Sequence, residues 1–235
     1  MTDLRAEAVP ADSLSGTDRD AMFALMDVVY AGMVRERFEA DLAAKDTCIT
    51  LRTPDGELAG FSTQTSLSIT VDEVTIDGVF SGDTVIAPAH WGSPALMRCF
   101  AGQFIAGEHP LRYWFLISKG HRTYRMLTTF FADFFPRRDQ PTPPQARSIM
   151  DAYATALYGT EYNPATGVLE YHQPKDRLRV GAADISEREL RIPTIAFFNA
   201  ANPGWSLGHD LVCLCELSEA NVVPRMRSVL GLEAG

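Results

Sequence analysis

No apolar run in this sequence is long enough to cross a bilayer, which takes about 20 consecutive apolar residues in a helix. The opening MTDLRAEAVPADS lacks the basic start and apolar stretch of a secretory leader. Export and membrane insertion are therefore not expected, and the cytoplasm is the expected compartment. Cysteine is scarce: Cys48, Cys99, Cys213 and Cys215 are the four, and no two are spaced C-x-x-C, which removes the redox and metal motifs built on that pair. Buried free thiols are the expected fate, with Cys213 and Cys215 on one face of an alternating strand. Positive charge is also short. Against 30 Asp and Glu stand 21 Lys and Arg, a net charge of −9, which argues against nucleic-acid binding. His209 and Asp210 are adjacent but form no recognisable metal set, so no metal is expected. Repeats and low-complexity tracts are absent.

The scarce positive charge is unevenly spread. Residues 1–87 carry a net −10, residues 88–138 a net +5, and residues 139–235 a net −4. Arg98, Arg112, Lys119, Arg122, Arg125, Arg137 and Arg138 make up the basic block, a field suited to an anionic ligand or an acidic partner. The block begins within the stretch 79–106, VFSGDTVIAPAHWGSPALMRCFAGQFIA, which reads as strand, loop, helix. A helix opening at Gly92, Ser93 and Pro94 leaves its first N–H groups free and its positive dipole end at the loop, an arrangement that can hold a phosphate.

Elsewhere the order of elements is legible from local chemistry. Residues 4–13 read as a strand and turn. Ser15 or Thr17 can cap a helix to about Met33 whose apolar face is Ala21, Leu25, Val28 and Val29. A helix from Val34 to about Ala44 follows. The strand from Thr47, the turn Pro54-Asp55-Gly56 and the strand Leu58–Ile69 form a hairpin. Val71 to Ile86 is a strand pair or one long bent strand, with Gly78 and Gly82 signalling a bulge or close backbone approach. A helix over Ser93–Ala106, the strand LRYWFLIS from Leu111 to Ser118, and a helix from Gly120 to Phe135 ended by Pro136 follow. After a Pro-rich linker come helices at Ala146–Tyr158 and from Pro193, a strand at Leu211–Leu217 and a closing helix from Ser218 to Leu230.

This order resembles the GNAT acyltransferase superfamily over roughly residues 3–135. The family's fourth strand ends in a pattern close to V-x-P-x-x-R/Q-x-x-G-x-G/A, and here Val85 to Ala95 read VIAPAHWGSPA, with Pro88 and Gly92 in place. Trp91 stands where a basic or amide residue is expected, and Pro94 takes a glycine position and removes an amide donor. The resemblance implies an α+β fold: a mixed, mostly antiparallel sheet flanked by helices, with residues 1–138 as the acyltransferase core. Residues 139–235 are then a helical C-terminal elaboration packed on it as one compact unit, which covers the acceptor site or makes a homodimer contact. The implied activity is transfer of an acyl group from a pantetheine thioester to the amine of a small molecule. No cofactor is then bound permanently; acyl-CoA or the phosphopantetheine thioester of an acyl carrier protein serves as co-substrate. The altered loop tilts the reading toward a carrier-borne or long acyl donor.

In the family the donor arm lies between the splayed fourth and fifth strands, here Asp83–Ala87 and Tyr113–Ser118. The implied donor-binding residues are Val85, Ile86, Trp91, Gly92, Ser93, Ala95, Ser118, Arg122 and Arg125. Three residues are candidates for proton transfer. Asp83 is a carboxylate inside an apolar strand, where burial raises its pKa toward a useful base value. His90 sits in the loop itself, and Tyr124 on the following helix lies where relatives place a thiolate-protonating tyrosine. Each has a plainer reading: a bulge aspartate bonded to amides, a solvated histidine, and a core tyrosine with a bonded tip. Trp91, Trp114, Phe115, Phe130, Phe131, Phe134 and Phe135 gather around the same cleft, mostly as core. The loop Asn202-Pro203-Gly204-Trp205 is a candidate acceptor wall. Ser93 lacks the G-x-S-x-G spacing of a hydrolase nucleophile. The competing function is a non-catalytic module that binds an acyl thioester or a carrier protein.

Overall fold

The computed structural model describes residues 4–107, 112–173, 175–181 and 184–232. In chain order the elements are β1 (Arg5–Pro10), α1 (Gly16–Val29), β2 (Tyr30–Ala31), α2 (Arg35–Ala43), β3 (Thr47–Arg52), β4 (Leu58–Val71), β5 (Val74–Ile86), α3 (Ala95–Phe104), β6 (Tyr113–Ser118), α4 (His121–Phe130) and β7 (Phe134–Phe135). There follow α5 (Pro144–Tyr158), β8 (Tyr162–Asn163), β9 (Val168–Leu169), β10 (Arg177–Leu178), α6 (Pro193–Ala201), β11 (Asp210–Glu216) and α7 (Pro224–Leu230). Leu111, the expected start of the sixth strand, lies outside the described residues. No helix among those described is long and apolar enough to cross a membrane.

A mixed, mostly antiparallel sheet organises the chain. Its strands run β1-β3-β4-β5-β6-β11-β9-β8, with β7 also on β11. Among these neighbours only β5 and β6 are parallel. Helix α3 makes the crossover between them, as a parallel pair requires. Helices cover both faces. Phe100 of α3, Leu127 of α4, Phe198 of α6 and Leu230 of α7 pack with Trp114 and Leu116 of β6 on one face. On the other face, Ile149, Met150 and Tyr153 of α5 meet Phe80, Phe115, Val212 and Leu214, while Met22, Met26, Phe38 and Leu42 of α1 and α2 meet Cys48, Phe61 and Val85. Each such side chain, fully buried, contributes about 1.5–3 kcal/mol.

Local chemistry explains most boundaries. The Ser15 hydroxyl accepts the Asp18 N–H and the Asp18 carboxylate accepts the Ser15 N–H, a reciprocal cap that starts α1. Its buried stripe is Met22, Met26 and Val29, and Val28 is 61% exposed. The helix is apolar almost all round (AMFALMDVV), so periodicity alone leaves two adjacent stripes, and the sheet takes the one carrying the long methionines. β4 and β5 join through Asp72 and Glu73, both at positive φ (49° and 65°), the backbone shape a two-residue hairpin turn needs. Four helical expectations were too long. Helix α1 stops at Val29, short of Met33, where Tyr30 and Ala31 pair with Leu178 and Arg177. Helix α3 begins at Ala95, after Pro94. Helix α4 stops at Phe130 because Phe134 and Phe135 pair with Cys215 and Leu214. The expected closing helix is divided: Ser218 caps a short turn over Glu219–Asn221, and Pro224, with no N–H to give, opens α7. Cys48, Cys213 and Cys215 are buried free thiols, and burial pushes those of Cys48 and Cys213 up to about 12.

Candidate active site

The register of β4 against β5 slips at one point. Ser62 faces Thr84 but Gln64 faces Ser81, so β5 carries an extra residue and Gly82 and Asp83 fall outside the paired register. Glycine leaves room at the bulge for neighbouring side chains: a Cβ on Gly82 would lie 2.6 Å from Lys45 Cε and 2.8 Å from Thr63 Oγ1, so a larger residue there must displace them. The bulge also ends the contact with β6. Gly78–Ser81 pair with Tyr113–Leu116 and pairing stops there, so Thr84–Ile86 diverge from Ile117–Ser118. At the closed end a Cβ on Gly78 would meet the Tyr113 carbonyl oxygen at 2.7 Å, which shows how closely the two strands approach before they part.

Two cavities flank this gap. A cleft of about 710 Å³ lies toward α3 and α4, and a chamber of about 240 Å³ lies toward α1 and α2. Tyr30, Thr84 and Thr123 line both. The cleft is largely apolar, with Leu96, Met97, Met126, Phe130, Met226 and Val229 among its walls. Val85, Ile86, Trp91, Gly92, Ser93, Arg122 and Arg125 line it too. Trp91 donates its indole N–H to the Ile86 carbonyl (2.8 Å), and the Arg122 guanidinium stacks 4.0 Å from the centre of its ring. The tryptophan that replaces a basic residue in the loop thus carries an arginine from α4 to the rim.

The chamber is charged. A segment from the C-terminal part crosses its mouth: β10 pairs with β2 (Arg177 with Ala31, Leu178 with Tyr30), and Arg179 holds Asp27 through its backbone and carboxylate oxygens. This strap brings Lys175 and Asp176 into the chamber and Leu178 into the cleft. The Lys119 ammonium donates to the Asp176 carboxylate (2.7 Å) and carbonyl (2.9 Å) and lies 3.7 Å from Asp210, which also accepts the Tyr171 hydroxyl proton at 2.7 Å. Burial works against the Lys119 charge, but Asp210 and Asp176 outweigh it and hold its pKa above the ordinary lysine value. Burial likewise opposes ionisation of Asp176, and Lys119 overrides it, so that carboxylate titrates below its ordinary range. Asp83, on the bulge, differs. Burial above all, then the Asp41 and Asp176 carboxylates, push its pKa from 3.8 up to about 7, against the pull of Lys45 and Lys119.

Several expected site residues lie elsewhere. Tyr124 is 1% exposed in the core, against Phe134, Phe197 and Phe198, and donates its hydroxyl proton to the Pro136 carbonyl (2.9 Å). It lines neither cavity, because its position on α4 faces α6. His90 also lines neither cavity; it ends the short turn Pro88–His90 and is half-buried. Ser118 is fully buried and pairs with Leu211 of β11, and Ala95, the first residue of α3, is outside the cleft lining. The Asn202–Trp205 loop is turned inward on itself, Asn202 donating to the His209 carbonyl; the neighbouring Asp210 reaches the chamber instead. The basic block is dispersed: Arg137 pairs with Asp133 and Asp139, Arg98 donates to the Val229 carbonyl, and Lys119 is buried on aspartates. Arg122 and Arg125 are its members at the cleft. Lys119, Asp176, Asp210 and Tyr30 give no local signal in the sequence, since their partners are tens of residues away.

The sheet that parts at its one parallel pair allows comparison with solved structures. Parts of the chain are similar to solved structures of acyltransferases. A conserved protein of unknown function from Enterococcus faecalis, a probable N-acyltransferase, is 16% identical with a TM-score of 0.43, over 57% of this chain and 33% of that one. The Saccharomyces cerevisiae N-myristoyltransferase with bound myristoyl-CoA is 10% identical with a TM-score of 0.41, over 51% and 30%. A GNAT family N-acetyltransferase from Escherichia coli in complex with CoA is 11% identical with a TM-score of 0.38, over 55% and 71%. The chain spans about a third of the length of the first two. No protein-family model and no curated protein matches the sequence.

Proposed function

We propose that this protein transfers an acyl group from a pantetheine thioester to the amine of a small molecule. The observation that carries this reading is the gap between β5 and β6, with an apolar cleft on one side, a charged chamber on the other, and Asp83 at the bulge between them. An extended arm laid along Val85 and Ile86 brings its thioester to the gap, and an amine in the chamber meets the carbonyl carbon there. Holding both reactants turns a two-body encounter into an effectively unimolecular one. The amine nitrogen bonds to the carbonyl carbon, the carbon–sulfur bond breaks, and Asp83 accepts the proton the nitrogen releases. A carboxyl titrating near 7 is suited to that task at neutral pH. Tyr30, which lines both cavities, replaces Tyr124 as the group that protonates the leaving sulfur, and the proton taken up by Asp83 is passed back to Tyr30 through solvent, so that both groups end as they began. Bulge amides outside the paired register are available to the developing oxyanion.

The apolar floor of the cleft suits an acyl chain longer than acetyl, and Arg122 and Arg125 suit a phosphate through forked contacts. Because Pro94 withholds one N–H from the loop, the rim favours the single phosphate of a carrier-borne arm over a pyrophosphate. The test is release of free thiol from acyl-CoA and from acyl-carrier protein, over a range of chain lengths, with and without a panel of small amines. Amine-dependent release is expected. Donor binding with no release for any amine would leave a thioester-binding module in its place.

A further inference from the structure

A buried chain of one amide and two hydroxyls ends at the gap. The Gln64 Nε2 donates to the Ser62 hydroxyl (2.9 Å), and the Ser62 and Thr84 hydroxyl oxygens lie 2.7 Å apart. Ser62 and Gln64 are 2% and 1% exposed. Thr84 is half-buried and is the member of the chain that lines both the cleft and the chamber. Polar groups buried in a sheet are costly unless they are bonded, and the acid–base work assigned to Asp83 uses none of these three.

The direction of the protons follows from a count of donors and acceptors. Ser62 already accepts from Gln64 and has one proton of its own to give. Among the described residues the one acceptor within hydrogen-bond reach of it is Thr84 Oγ1. Were Thr84 to donate to Ser62 instead, the Ser62 proton would be buried without an acceptor, which is costly. A proton on Thr84 has the cavities before it. Ser62 therefore donates to Thr84, and the Thr84 O–H is turned away from β4 toward the gap.

A thioester whose arm runs along Val85 and Ile86 brings its carbonyl beside the residue that precedes them. As the amine adds, that oxygen gains negative charge, and a donor already aimed at it needs no reorganisation at the moment of reaction. Each hydrogen bond in such a chain polarises the next, so Gln64 and Ser62 strengthen the last donor. We infer that the Thr84 hydroxyl is a catalytic hydrogen-bond donor to the thioester carbonyl oxygen, with Ser62 and Gln64 as positioning residues that turn its proton to the gap. The proton stays on Thr84 throughout, and the oxygen is a carbonyl again once the carbon–sulfur bond has broken. This rests on the acyl-transfer reading for the reaction, but not for the hydrogen bond.

The experiment uses the whole protein and decanoyl-CoA isotope-labelled at its carbonyl carbon, with two readouts. Infrared difference spectroscopy reads the carbonyl stretch of the bound donor without amine, and thiol release with the best amine gives kcat and KM. The stretch is expected at lower frequency in the wild type than in Thr84→Val, with Thr84→Ser close to the wild type. Thr84→Val should lower kcat by about 10²–10³-fold with donor KM within about threefold, and Thr84→Ser should restore most of the rate. Ser62→Ala should cost less, and the double variant should be no slower than Thr84→Val alone, because Ser62 acts through that hydroxyl. A stretch that depends on Thr84 in a protein that turns over with no amine would retain the hydrogen bond and remove the transfer reading. An unchanged stretch in Thr84→Val, whatever its rate, would overturn the inference. So, without any variant, would a wild-type stretch equal to that of the same thioester in an aprotic solvent, or no binding of the donor.

Discussion

The cleft and the chamber meet at one gap, yet they are built on different physical terms. The cleft is wide and walled mainly by methionine, leucine, valine and phenylalanine, so it holds a ligand by buried apolar area, which is non-directional and tolerant of length. The chamber is a third of that volume and lined by four aspartates, two lysines and an arginine, so it holds a ligand by matching charges at fixed positions, where a missing partner is costly. A flexible arm belongs in the first kind of space and a small polar reactant in the second. Changes in the chamber should therefore act on the chemical step or on folding, and changes in the cleft on donor affinity in graded steps.

The largest expected effect is at the boundary. Asp83→Asn should lower kcat by about 10²–10⁴-fold while donor Kd stays within about threefold; an equal loss of donor affinity would erase the distinction between the two cavities. In the wild type the rate of thiol release should rise through about pH 7 and level off, because the base acts ionised. Burial first, then Asp41, Asp176, Lys45 and Lys119, set that value, Tyr30 and Lys175 facing the same chamber, and the Asn variant should lack the limb.

Lys119→Met comes next, through stability. It strands Asp176 and Asp210 without their cation, a change worth about 3–5 kcal/mol for a buried pair, read as a lower urea midpoint. Met97→Trp should fill part of the cleft and raise the donor KM about tenfold or more, most for long acyl chains, leaving acceptor KM unchanged. The same Asp83→Asn variant should unfold a few degrees higher than the wild type at pH 8 but not at pH 4. The sign follows from the raised pKa. Between about pH 4 and 7 the folded state keeps a proton the unfolded chain has lost, so stability falls as pH rises across that window and the cost persists above it.

The smallest effects lie outside the chamber. Trp91→Ala removes a cation–π contact of about 0.5–1 kcal/mol and should raise the donor KM about threefold. Tyr124→Phe should leave kcat within about threefold and cost about 1 kcal/mol of stability for its lost hydrogen bond.

How much of this is legible in the sequence depends on the range over which each feature is decided. The Ser15 cap, the start of α6 at Pro193 and the bulge at Gly82–Asp83 follow from a few neighbouring residues, and each can be read locally. The start of α3 is misjudged by less than a turn and the end of α4 by more than one, because apolar residues such as Phe134 and Phe135 serve a strand as well as a helix until a pairing partner is known. The charged chamber is a different matter. Lys119 and Asp176 stand 57 residues apart, and nothing near either in the chain announces the other.

By itself the sequence determined the inventory: an acidic chain with a bulged strand, a loop altered by Trp91 and Pro94, and a helix after it, all set by backbone geometry and side-chain chemistry within a turn or two. Only the tertiary structure decided that β11 lies between β6 and β9, that Tyr124 turns into the core, and that a strap from the C-terminal part carries Lys175 and Asp176 to the gap. Those outcomes depend on which distant surfaces bury one another, and apolar burial has no direction along the chain.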